Sequence, residues 1–145
     1  MAETKTSRSL QTVARALGRL GRERARSGDV TPQQAEALAV LAERGAMSTS
    51  SIADVLGIDP STASRNLAGL ERAGYVVRRR GADDGRQTDV RLTPRGKRVA
   101  ESMSAGWSEA SAALLARVPR GERQRVTEAI ETLARLLHQS PDERS

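Results

Sequence analysis

Phenylalanine is absent from this chain, and its only aromatic residues are Trp107 and Tyr75. The interior therefore has to be assembled from Leu, Val, Ile and Ala. Such small side chains fill space well only where helices lie close together, and apolar stripes shared between two subunits would add burial. At 145 residues the chain is long enough for one domain with a real core. The expectation is a mainly α protein, with about six helices and a small β-hairpin.

Several function classes are excluded early. There is no cysteine, so disulfides, thiolate catalysis and thiol redox sensing are out. The single histidine, His138, cannot form a zinc site alone. No metal-ligand cluster, phosphate-binding Gly loop or nucleophile elbow is present, so no enzyme activity and no cofactor are expected. No apolar run of about 18 residues occurs, and the opening MAETKTSRSL lacks the apolar core of a secretory signal. A cytoplasmic, bacterial protein without membrane association is expected.

Pro and Gly punctuate the chain. Leu10, Val13, Leu17 and Leu20 recur at helical spacing over roughly 6–26, and Gly28-Asp29 ends that helix. Arg8, Arg15, Arg19, Arg22 and Arg26 occupy its other face. Thr31-Pro32-Gln33-Gln34 reads as an N-cap, a first-turn proline and a capping-box partner. Gly45 stops this second helix, and Met47-Ser48 is a short extended link. Ile52, Ala53 and Leu56 mark a short third helix ending at Gly57. Asp59-Pro60 opens a fourth with Ala63, Leu67 and Leu70 as its buried stripe, and Gly74 closes it. Tyr75–Arg80 and Thr88–Thr93 read as two strands around the turn-rich GADDGRQ. Thr93-Pro94 starts a fifth helix, and a sixth follows Pro119-Arg120-Gly121.

Residues 60–100 contain ten basic and four acidic side chains, which is the whole of the chain's net charge of +6. The other 104 residues carry 14 of each sign. Positive charge confined to one helix and one hairpin fits a partner that is a line of negative charge, such as a phosphate backbone. The element order is that of a winged helix-turn-helix with long helices on either side.

Three segments resemble the MarR family (multiple antibiotic resistance regulators): MSTSSIADVLGI, DPSTASRNLAGLERAGYVVRRR, and Asp84-Gly85-Arg86 followed by Arg91-Leu92-Thr93-Pro94-Arg95-Gly96. The resemblance covers nearly the whole chain. It implies a homodimeric transcriptional regulator, usually a repressor, that binds palindromic double-stranded operators. It also implies release by a small anionic or phenolic effector near the junction of the dimerisation and DNA-binding parts. Residues 1–145 are expected to form a single domain. Its DNA-binding part is 31–95, its dimerisation helices are 6–28 and 96–139, and 140–145 is a disordered tail.

The helical wheel opposite the fourth helix's buried stripe holds Ser61, Arg65, Ala68, Gly69 and Arg72, with Thr62 and Ser64 at its flanks. Hydroxyls and Arg65 suit base edges or phosphates, and Ala68 and Gly69 would permit close approach. The alternative is a merely solvated face. Gly69 speaks against it, because a mid-helix Gly costs ~1 kcal/mol relative to Ala without a packing reason. Ser48 and Ser50 open the third helix, where one serine caps and another has room to hold a phosphate. Arg78 and Arg80 share one face of their strand, and Arg79 takes the other. Arg86 is expected to enter a minor groove from the wing tip, with Asp84 fixing the loop. Leu10, Val13, Leu17, Val126, Ile130, Leu133 and Leu137 are expected to be buried between two copies. Trp107 either stacks on an aromatic ligand or packs as core or interface; no other ligand residue is assigned. The competing function is a winged-helix adaptor that binds protein and no DNA.

Overall fold

The computed structural model describes residues 3–80 and 88–138. The elements run α1 (Lys5–Ser27), α2 (Pro32–Arg44), β1 (Met47–Ser48), α3 (Thr49–Leu56), α4 (Pro60–Arg72), β2 (Val76–Arg80), β3 (Thr88–Leu92), α5 (Pro94–Ala116), a 3-10 turn (Arg120–Glu122) and α6 (Arg123–His138). No described helix is long and apolar enough to cross a membrane.

The caps expected at Thr31, Ser48 and Asp59 form, and Thr4 caps α1 as well. Each accepts a backbone N–H of the first turn, and Thr31 with Gln34 completes the capping box. Gly57 and Gly74 take left-handed backbone conformations after α3 and α4. After α1 the left-handed residue is Asp29 instead of Gly28. Asp tolerates that region better than most non-Gly residues do.

The wing is not a plain hairpin. Met47-Ser48, expected as a link, pairs with β3, giving an antiparallel three-stranded sheet in the order β1-β3-β2. Register runs from Val76 opposite Leu92 to Arg80 opposite Thr88.

The chain divides into two compact units, residues 1–108 and 109–145. The first has a core centred on Leu38, Ile52, Leu67, Leu70, Val76 and Val90. Fully burying one such side chain contributes about 1.5–3 kcal/mol. The first half of α5 belongs to this unit, with Gly96, Ala100 and Met103 buried in its core. In the second unit Arg123 donates to the carbonyls of Val118 (2.9 Å) and Ala116 (3.0 Å), closing the turn into α6.

One junction anchors the wing. The Tyr75 carbonyl accepts the Thr93 N–H at 3.0 Å. The Thr93 hydroxyl donates to Gly74 O at 2.6 Å and accepts from Gly96 N at 3.0 Å. A Cβ on Gly96 would lie 1.9 Å from the Tyr75 carbonyl oxygen, so this close approach of α5 to the start of β2 admits only glycine. The Arg95 guanidinium covers the Tyr75 ring at 5.3 Å.

Candidate nucleic-acid interface

The exposed edge of α4 begins at its cap. Asp59 Oδ1 accepts the Thr62 N–H at 3.0 Å and also the Ser61 hydroxyl. Its Oδ2 accepts the Thr62 hydroxyl at 2.6 Å, and Arg65 Nη2 donates to that same Thr62 oxygen at 3.3 Å. The Ser61 hydroxyl, then the Thr62 hydroxyl and N–H, hold the Asp59 carboxyl far below the usual carboxylate range. It is therefore ionised at neutral pH. Asp59, Ser61, Thr62 and Arg65 form one continuous polar network at the front of the helix.

Farther along, Ala63, Leu67 and Leu70 are buried, whereas Ser61, Arg65 and Arg72 are exposed and Ser64 and Ala68 half-buried. Ser61, Arg65, Ala68 and Arg72 follow one another at helical spacing and so share a face. The edge expected from the helical wheel thus exists, with one correction. Gly69 turns toward α2: a Cβ there would lie 2.6 Å from Gln34 Nε2. Gln34 also donates to Asn66 O at 3.4 Å, and Asn66 donates to Gln33 at 2.8 Å. Gly69 thus lies against the end of the Gln34 side chain.

Ser48 is the α3 cap. Its oxygen accepts from Ser51 N at 3.0 Å, and its proton goes to Ser51 Oγ at 2.8 Å. Ser50 is exposed. In β2, Arg78 is turned back to α4, where Glu71 accepts its N–H at 3.1 Å and its guanidinium at 3.3 and 3.4 Å. Arg78 is half-buried by this pairing, whereas Arg79 and Arg80 are exposed. Asp84 and Arg86 lie outside the described residues.

A second polar feature lies where α1, α2 and α5 meet in the first unit. Arg24 is largely buried, pairs with Glu36 and lies 5.2 Å from the Trp107 ring centroid. Its Nε is buried without a hydrogen-bond partner among the described residues. Two clefts of about 400 and 550 Å³ share Arg24 and Trp107 in their walls. Sequence reading missed Arg24 and Glu36. The signal was available, because Arg24 continues the Leu10, Val13, Leu17, Leu20 stripe at helical spacing and so stands on an otherwise apolar face.

Residues 28–87 match the family model described as MarR family. The HTH-type transcriptional regulator Mb0904 of Mycobacterium bovis is 29% identical over 97% of this chain and 98% of its own length. Over residues 28–87 the chain resembles the MarR family. Its fold is also that of S. aureus MepR in a DNA complex, with TM-score 0.74 and 21% identity over 94% of this chain and 100% of MepR. NadR, solved with 4-hydroxyphenylacetate, aligns with TM-score 0.72 and 24% identity over 92% of this chain and 95% of NadR. The protein is a helix-turn-helix transcriptional regulator of MarR type and not an enzyme. Within this MarR fold, α3 and α4 are the helix-turn-helix, and β2 and β3 are the strands of the wing.

Proposed function

We propose that the chain is a homodimeric repressor that binds a palindromic operator and leaves it when a small anionic or phenolic molecule binds at Arg24 and Trp107. The α4 edge carries the reading, because Ser61, Arg65 and Arg72 stand exposed on one side of a helix whose other side is core. Arg65 donates to a guanine edge, Arg80 and Ser50 meet phosphates, and Arg86 enters the minor groove. Arg78 joins them once Glu71 yields it. The DNA complex known for MepR supports this assignment.

Dimerisation is argued from apolar exposure. Leu10 and Val13 on α1 are each 52% exposed, and Ile130, Leu133 and Leu137 on α6 are 52, 48 and 84% exposed. Leu17 is also exposed, and Val126 is half-buried. Amphipathic faces left this open in one chain call for a second copy.

The effector reading rests on the clefts. A carboxylate or phenolate competes with Glu36 for Arg24, and its ring stacks on Trp107. NadR's phenolic ligand is of this class.

The decisive experiment is a band shift with salt titration. A regulator loses affinity steeply as salt rises, whereas a protein-binding adaptor shows no such dependence. Footprinting is expected to protect an inverted repeat with half-sites centred about 10 bp apart. Protection of a single asymmetric half-site would contradict the dimer. Trp107, the sole tryptophan, reports directly on effector entry: its fluorescence is expected to change on titration with 4-hydroxyphenylacetate or a related phenolic acid. An unchanged signal across such a panel refutes the effector site.

A further inference from the structure

We propose that Asp59 is a specificity-determining positioning residue, which takes the hydroxyl protons of Ser61 and Thr62 and thereby presents both side chains to DNA as acceptors only. The inference rests on α4 being the DNA-reading helix. It goes further by specifying which chemical groups on a base edge that helix selects.

An ionised carboxylate accepts hydrogen bonds and cannot donate them, and a hydroxyl has one proton. The Ser61 hydroxyl donates to Asp59 Oδ1 and the Thr62 hydroxyl donates to Oδ2. Thr62 also accepts from Arg65, which leaves it one lone pair, whereas Ser61 keeps two. Neither side chain retains a proton for a phosphate oxygen, guanine O6 or N7, or thymine O4. The only major-groove donors are the N4 amino group of cytosine and the N6 amino group of adenine. Exposed Ser61 therefore reads an amino group and repels a carbonyl or a phosphate. Arg65, which has donors to spare, serves the neighbouring acceptors. One carboxylate thus sorts the front of the helix into an accepting position and a donating position.

The test uses the full-length protein and an operator selected from a random duplex library. Every base pair presents one amino group in the major groove, so base identity alone does not decide, and single functional groups are deleted. Purine replaces adenine or 2-pyrimidinone replaces cytosine, removing the amino group at each position in turn; methylphosphonates replace individual phosphates. Wild type, Ser61→Ala and Asp59→Gly are compared. Gly caps a helix almost as well as Asp does, and with no side chain it releases both hydroxyl protons.

At one position, amino deletion is expected to weaken wild-type binding about five- to tenfold and to have no effect on Ser61→Ala. In Asp59→Gly that penalty shrinks severalfold. Overall affinity can still rise as a negative charge is removed, so the ratio between substituted and unsubstituted DNA is the readout. If Ser61→Ala couples to a methylphosphonate or to no amino group, the proposal is overturned. It is overturned equally if Asp59→Gly keeps the full amino penalty. Should Asp59→Gly fail to fold by circular dichroism, the coupling between Ser61 and the amino group decides alone. If the wild type enriches no sequence at all, the DNA-reading assignment itself is refuted.

Discussion

Gly96→Ala is a demanding probe of the wing anchor. The added methyl would lie 1.9 Å from the Tyr75 carbonyl oxygen and 2.8 Å from its carbon. A carbon–oxygen contact needs about 3.3 Å, so the fit is short by roughly 1.4 Å. The obstacle is backbone and cannot swing aside as a side chain would. Overpacking of this kind costs about 1–3 kcal/mol or more. Displacing Tyr75 also breaks its 3.0 Å bond to Thr93 N, a further ~1 kcal/mol. Replacing Gly by Ala in a helix returns ~1 kcal/mol. The expected net loss is about 1–3 kcal/mol or more, a sizeable part of a typical stability of about 5–15 kcal/mol. Gly106→Ala is the matched control. It lies in the same helix with no atom within 4 Å of its added Cβ, and is expected to stabilise by about 0.5–1 kcal/mol. Urea unfolding followed by circular dichroism, at one protein concentration, measures both. With a slope of about 1–3 kcal/mol/M, the Gly96→Ala midpoint falls by on the order of 1–2 M. A Gly96→Ala midpoint equal to wild type would refute the close-approach argument.

Arg65→Ala is expected to cost about 1–3 kcal/mol of operator affinity and to relax preference at the base it contacts; anisotropy titration against operator variants measures it. Leu133→Glu leaves the single chain folded, since the residue is 48% exposed, but sedimentation is expected to find monomer where the wild type is dimer. Because Asp59 has a depressed pKa, its contribution to stability is present above the ordinary carboxyl value of 3.8 and is lost as pH falls through its lower folded value. Asp59 variants are therefore expected to differ from wild type at neutral pH and to converge with it only in strong acid, as followed by thermal unfolding against pH.

What the amino-acid order determines by itself here is local. Thr31-Pro32, Asp59-Pro60 and Thr93-Pro94 start helices because a cap hydroxyl or carboxylate and a fixed proline φ act within one turn. The 3.6-residue spacing of Ala63, Leu67 and Leu70 names the buried side of α4 and hence its open side. The charge of residues 60–100 points to a polyanion before any fold is drawn. Tertiary structure decides everything that depends on a partner distant in the chain. Met47-Ser48 becomes a strand only because β3 lies beside it. Gly69 lies against the end of the Gln34 side chain, and Arg78 is drawn to Glu71 across the α4–β2 turn. Arg24 meets Trp107 from more than eighty residues away. Such contacts depend on the three-dimensional approach of whole elements, and periodicity along one element carries no information about which side chain of another will meet it.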